Sequence, residues 1–486
     1  MAGLNPIPIG RVGVLLSWSQ VMSASVKPRL AGRQPSSVCG GVPRVTTGSG
    51  VFAPGKRGPL WVPLCGGWPM SIQTIENPTA DLSVLGAGRA AGHVNLDYAA
   101  TAPCLAVAAA AVNDLLPWYA SVHRGAGAAS QRCTLAYEQA RQTIGDFLGA
   151  RPDDHVIFTR NTTDALNLLA GCLPAGTTVV GWAAEHHANL LPWSAAKSLV
   201  LPVPASAAEA VAALAAALPG VPGPVLVAVT GASNVTGEVW PVTELTEVAH
   251  RHGARIVVDA AQLAPHRAVS LAETGIDYLA LSGHKLYAPF GAGILAGRGD
   301  WLDAAEPYLA GGGATAAVGA LPGERVTLDV SWHSGPGRHE AGTPNLFGAV
   351  ALAAVCSALS AADRAGLEAE ERRLVARLRA GLAVLPGVGE LRTFGPAADR
   401  VGIVSFAVAG IPAAEVSAAL ATRHGIGVRD GLFCAHPLTA RLLADAGERI
   451  GRPLGASAVR ASLGLGSTTA DVDRLLVGVA ELTRGA

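Results

Sequence analysis

Charge is scarce in this sequence. Only 15% of its 486 residues are charged and 5% are aromatic, where about 25% charged is ordinary for a globular chain. A surface so poor in charge implies that part of it is covered, most simply by another subunit. The 36 basic and 36 acidic residues cancel, which removes the basic field that nucleic-acid binding draws on. The seven cysteines are an odd number with no Cys-x-x-Cys pair. That excludes a disulfide framework and a zinc knuckle and fits a reducing, cytoplasmic setting. Long apolar runs are missing too: Val12 to Trp18 spans seven residues, against the ~20 that a membrane span needs. His186-His187 and His250-x-His252 have no Cys or carboxylate partner at ligand spacing, so no metal site is expected. Half the residues are hydrophobic, which excludes low-hydropathy disorder for the bulk of the chain.

Acid is wholly absent from residues 1–69, which carry +7 and leave −7 on the rest. This stretch is rich in Gly, Pro, Ser and Arg and keeps neither a strand nor a helix period. It reads as a disordered or non-native extension ahead of a start at Met70. A lead-in over 70–94, a large domain over 95–345 and a small domain over 346–486 follow.

In the large domain, short apolar runs alternate with helical patterns. His155–Thr159, Thr178–Ala183, Val225–Thr230, Arg255–Ala260 and Asp277–Ser282 read as buried strands. Tyr137–Leu148, Thr162–Ala170, Ala207–Ala217 and Val242–His252 read as helices. Such alternation implies an α/β fold with a mostly parallel, doubly wound sheet. Ligands in these folds bind at the carboxyl ends of the strands. After Pro344 the spacing predicts long helices at Leu346–Leu359 and Leu367–Leu385, strands at Val401–Val408 and Ile426–Arg429, and a last helix at Thr469–Thr483, a smaller α+β domain.

Two of the strands end in polar residues. Val258-Asp259-Ala-Ala-Gln262 offers a carboxylate and an amide, and Ser282-Gly-His284-Lys285 a hydroxyl, an imidazole and an amine. Alone, Asp259 would be a helix cap and Lys285 a solvated loop residue. Together at one sheet edge they suit pyridoxal phosphate, which needs a lysine for its aldehyde, an acid against its pyridine nitrogen, and donors for its phenolate and phosphate oxygens.

These segments resemble a known family. With Leu96-Asp-Tyr-Ala-Ala-Thr101, Phe158-Thr-Arg-Asn-Thr-Thr163, Glu185-His-His-Ala-Asn189, Asn234-Val-Thr-Gly237, Glu340-Ala-Gly-Thr-Pro-Asn345 and Arg460-Ala-Ser-Leu463, the chain from about Asn95 is similar to the class V aminotransferase family of fold-type I enzymes. Within it, the chain is most similar to the SUF-type cysteine desulfurase and selenocysteine lyase branch. The resemblance implies that Lys285 carries the cofactor, that Asp259 faces its ring nitrogen and Gln262 its phenolate, and that His186 stacks on the ring. Thr162, Thr163, Ser282 and His284 would form the phosphate cup. Gly342 and Thr343 would reach the phosphate of a neighbouring subunit, implying a homodimer. Asn234, Arg429 and Arg460 would hold a substrate carboxylate. Cys434, in a Gly-flanked loop near Arg429 and His436, would be the nucleophile that takes sulfur from L-cysteine, leaving L-alanine and an enzyme persulfide for a protein acceptor.

The sequence departs from the family's pattern in places. Gly127, Leu432 and Phe433 stand where histidines are usual, Ala314 where a glutamate is, and Tyr98 where an asparagine is. These bear on substrate and sulfur transfer rather than on the cofactor. Two alternatives stay open: a C–S lyase or aminotransferase acting on another amino acid, and a non-catalytic sulfur-relay protein.

Overall fold

The computed structural model describes residues 82–85, 92–321 and 327–484. The expected extension over 1–69 lies outside them, as does most of the lead-in. Seven strands form the central sheet: Asp154–Thr159 (β1), Thr178–Trp182 (β2), Lys197–Leu201 (β3), Val225–Thr230 (β4), Arg255–Asp259 (β5), Tyr278–Ser282 (β6) and Gly293–Arg298 (β7). Their order is β1-β7-β6-β5-β4-β2-β3. All neighbours are parallel except β7, which runs antiparallel to β1 and β6.

The sheet is covered on both faces, and its side chains sort by parity. Val225, Val227, Val229, Val258, Leu279 and Leu281 enter the main core. Leu226, Ala228, Val257, Tyr278 and Ala280 enter a second cluster with Leu166, Leu169 and Trp193 on the opposite face. This explains why β4, β5 and β6 read as unbroken apolar runs. β3 and β7 were not legible as strands: β3 is a largely exposed edge, and Gly293 and Gly297 break the β7 pattern.

A second sheet, antiparallel throughout, is built from Val388–Leu391 (β8), Ile403–Val408 (β9), Arg429–Gly431 (β10) and Ala458–Ser462 (β11), in the order β8-β9-β11-β10. Helices Arg364–Ala383, Ala413–His424 and Thr469–Arg484 cover it through Leu378, Leu420 and Leu475.

Two segments near the expected boundaries pack across them. Helix Leu346–Ala361 packs on helices Ala106–Leu115 and Ala128–Phe147 of the large domain, because it is apolar all round and buries Leu346, Leu352, Val355 and Leu359 there. At the start of the expected large domain, Val94–Asn95 pairs with Ile426–Gly427, and Asp97 with Ser462. The helix expected from Tyr137 starts at Ala128. Among the described residues no single helix is long and apolar enough to cross a membrane.

Candidate active site

The carboxyl ends of β1, β2, β4, β5 and β6 supply the site. Asp259 is the last residue of β5 and Ser282 the last of β6. The Ser282 hydroxyl meets Thr162 twice, at 2.8 Å from the backbone N–H and 2.7 Å from Oγ1. Thr162 opens helix Thr162–Gly171, whose cap is Asn161: its side-chain oxygen accepts from the Asp164 N–H at 3.0 Å. With Asn161 capping, the Thr162 and Ser282 hydroxyls stay grouped at a positive helix end, an arrangement suited to an anion. Thr163 is exposed beside them. His284 touches the Thr101 hydroxyl through Nδ1 at 3.2 Å.

Asp259 is 5% exposed, and its Oδ1 accepts from the Ala261 N–H at 2.9 Å. Burial raises its pKa, opposed by Lys285. Among the described residues it forms no ion pair, so the site holds a buried carboxylate that a pyridinium N–H would satisfy. Burial holds the Lys285 ammonium below its ordinary range, opposed by Asp259 and reinforced by Arg460. Gln262 is buried, with one amide hydrogen given to the Ala99 carbonyl at 2.8 Å. His186 caps the short helix His187–Leu190: its Nδ1 accepts from the Ala188 N–H at 3.0 Å, which places the proton on Nε2. Burial, then Lys285 and His187, push its pKa down to about 3. The ring is therefore neutral, with one nitrogen committed. An amine, a buried acid, an amide, a flat neutral ring and a hydroxyl cup together fit pyridoxal phosphate.

Beside this cluster lies a second one. Arg460, 4% exposed on β11, donates through Nη1 to the Asn234 carbonyl at 3.0 Å. Asp97 bridges it to Arg429, at 3.5 Å from Arg460 Nη2 and 3.0 Å from Arg429 Nη2. Burial lowers the Arg460 pKa to about 10, with Asp97 opposing. Its Nε has no partner among the described residues. Arg429 is half-exposed. Cys434 is exposed and coupled electrostatically to both Lys285 and Arg460. Its loop is pinned on both sides: the His187 N–H donates to the Cys434 carbonyl at 2.8 Å, and Asn234 Nδ2 to the Phe433 carbonyl at 2.7 Å. Phe433 and Cys434 both have φ +53°, a left-handed conformation costing about 1–3 kcal/mol per non-glycine residue. The Phe433 ring lies 5.0 Å from the Arg460 guanidinium.

The fold thus gathers Lys285, Asp259, Gln262, His186, Thr162, Ser282 and His284 in one place, with Asn234, Arg429, Arg460 and Cys434 beside them. Gly342, at φ +88°, and Thr343 stand exposed on the 340–345 segment, outside both hydrogen-bonded clusters. Three participants had no role assigned from sequence. Asp97 lies inside a matched segment, but only the fold shows that it bridges two arginines. Glu185, fully buried, accepts from Asn189 Nδ2 at 2.8 Å and the Thr230 N–H at 3.1 Å, tying the turn before His186 to β4. Phe433 read only as a missing histidine.

The Aminotransferase class-V family description matches residues 94–475. The chain is 35% identical over 374 residues to a cysteine desulfurase of Klebsiella pneumoniae (strain 342), covering 74% of this chain and 86% of that protein. Among solved structures it is similar to the cysteine desulfurase CsdA of Escherichia coli, at 32% identity and TM-score 0.67 over 82% of this chain and 96% of that one. A cysteine desulfurase from Thermococcus onnurineus NA1 is similar at 32% identity and TM-score 0.70, over 81% and 95%.

Proposed function

This chain belongs to the class V aminotransferase family and is a cysteine desulfurase-like enzyme, and we propose that it transfers sulfur from L-cysteine to Cys434 and releases L-alanine. The observation that carries the reading is the placing of one exposed thiol, in a loop pinned at Phe433 and Cys434, beside Lys285 and Arg460.

Lys285, Asp259, Gln262, His186, Thr162, Thr163, Ser282 and His284 would hold pyridoxal phosphate. When bound, it supplies an electron sink next to the substrate's α-carbon. Arg460 and Asn234 orient the substrate carboxylate, with Arg429 at the rim; a planar guanidinium suits this because it binds two oxygens at once. Lys285 Nζ, whose ammonium burial disfavours, takes and returns the α-proton. Cys434 Sγ attacks the substrate sulfur: an S–S bond forms and the Cβ–S bond breaks. Its electron pair stays on carbon and is protonated, giving L-alanine and a persulfide on Cys434. A protein thiol then accepts the terminal sulfur. The proposal includes a homodimer in which Gly342 and Thr343 reach the partner's phosphate cup, and a reducing, cytoplasmic compartment that keeps Cys434 a thiol.

The test is turnover of cofactor-loaded protein with L-cysteine and a reductant, measuring sulfide, alanine and pyruvate together. Equal sulfide and alanine, abolished in Cys434→Ala, supports the proposal. Sulfide with pyruvate that survives Cys434→Ala replaces it with β-elimination. A normal cofactor spectrum with no product from cysteine removes cysteine as substrate.

A further inference from the structure

We infer that the buried pair Glu238–Arg400 is a positioning device that sets the register between the two domains and so aligns the Asn234–Arg460 clamp on a substrate carboxylate; this rests on the carboxylate role proposed above.

The loop after β4 is a peg driven into the small domain. Ser233, Asn234, Thr236 and Glu238 are all buried. Four successive carbonyls of this loop are each taken by a different small-domain donor. Asn234 O accepts from Arg460 Nη1 at 3.0 Å and Val235 O from the Ser405 hydroxyl. Thr236 O accepts from Arg400 Nη1 at 2.8 Å and Gly237 O from the Val401 N–H at 2.8 Å. Gly237 has φ +73°, and a Cβ there would stand 2.6 Å from the Ile403 carbonyl, so only glycine lets the peg seat. Ser405 and Arg460 are direct cross-strand partners on β9 and β11. The peg's register is therefore also the position of Arg460 relative to Asn234.

Glu238 closes this arrangement. Its side chain is fully buried and that of Arg400 is 3% exposed. Oε1 accepts from Arg400 Nη2 at 2.7 Å and the Phe394 N–H at 2.8 Å, and Oε2 from the Thr236 hydroxyl at 2.7 Å and the Thr393 N–H at 2.9 Å. Arg400 is backed by Glu390 at 3.5 Å, which Arg379 holds at 2.6 Å. Two apolar side chains would join the domains as firmly, since a buried ion pair recovers little beyond its own desolvation cost. What the pair adds is direction. Glu238 accepts only when Thr236, Thr393, Phe394 and Arg400 all stand at their places, and a sliding fit becomes a single register. The pair thus acts on the clamp without touching the substrate, and a clamp out of register binds the carboxylate less tightly.

The test is the full-length, cofactor-loaded Glu238→Leu/Arg400→Met double variant, which replaces the pair by apolar groups of similar size. L-alanine is the carboxylate probe, its binding read from the cofactor's absorbance. The expected result is a cooperative fold and an unaltered cofactor spectrum, with the Kd for L-alanine and the KM for L-cysteine raised by about tenfold or more and kcat changed less. Glu238→Gln keeps the side-chain shape but turns an amide NH2 group toward donors and leaves Arg400 unpaired, so its affinity for L-alanine should also fall below the parent's. L-alanine binding equal to the parent's overturns the inference. So does failure of the double variant to fold, because the pair would then serve folding rather than alignment. A parent that binds L-alanine but makes none from cysteine overturns only the desulfurase reading; a parent that does not bind it overturns the carboxylate clamp and this inference together.

Discussion

Asn234 and Phe433 are joined by a 2.7 Å hydrogen bond from the side-chain amide to the backbone carbonyl, so the group proposed to meet the substrate carboxylate also holds the loop of the proposed nucleophile. A carboxylate arriving at Asn234 competes with that carbonyl. Asn234→Ala removes both interactions. One hydrogen bond to a charged group contributes about 1.5–3 kcal/mol, so KM for L-cysteine should rise by roughly tenfold or more. Alkylation of Cys434 by iodoacetamide should also speed up in the absence of substrate. Unchanged alkylation would show that the bond does not restrain the loop.

Lys285→Ala and Cys434→Ala separate two functions. Borohydride reduction followed by peptide mass analysis should find the cofactor on Lys285 in the parent and in Cys434→Ala, but not in Lys285→Ala. Loss of the amine as a proton carrier should also cut turnover by about 10²–10⁴-fold. Covalent cofactor retained in Lys285→Ala would assign the linkage to another residue.

Glu185 gives the fold a pH dependence of definite sign. Burial pushes its pKa up to about 8 from 4.5, against hydrogen bonds from Asn189 and the Thr230 N–H. The folded state therefore holds this proton where the unfolded chain has released it. Its contribution to stability is complete below pH 4.5 and is lost as pH rises through about 8. Thermal unfolding followed from pH 5 to 8 should show that loss in the parent and a flatter profile in Glu185→Gln. Parallel profiles would mean that the group is ionised in the fold.

Glu340 secures the segment that carries Gly342 and Thr343. It accepts from Arg141 Nη1 at 2.7 Å, the Tyr137 hydroxyl at 2.9 Å and the Phe158 N–H at 2.7 Å. Removing one partner of a fully buried pair costs about 3–5 kcal/mol, and this pair is part-buried, which makes that figure the upper bound. Denaturant unfolding of Glu340→Ala should show a loss of up to that size against the parent. A midpoint unmoved from the parent's would show that Arg141 and Tyr137 find other partners.

What the sequence determined by itself were the elements whose pattern is local and the residues whose chemistry is unusual. β4, β5 and β6 were legible because strands buried on both faces keep apolar residues on both, interrupted only at their ends. Lys285, Asp259 and Cys434 stand out as candidates because polar groups closing apolar strands, or a thiol in a glycine-flanked loop, differ from their neighbours. The edge strand β3, the glycine-interrupted β7 and the true start of helix Ala128–Phe147 carry no such local signature. β3 is settled by its pairing with β2, and β7 by its pairing with β6 and with the distant β1. The same holds for the bridge from Asp97 to Arg429 and Arg460, for Phe433 over Arg460, and for Glu238 with Arg400. In each, an ordinary residue gains its role from a neighbour more than 100 positions away or from a loop held in one register. Only the tertiary structure brings such pairs within reach, because hydrogen bonds and charges act over a few ångströms of space and not along the sequence.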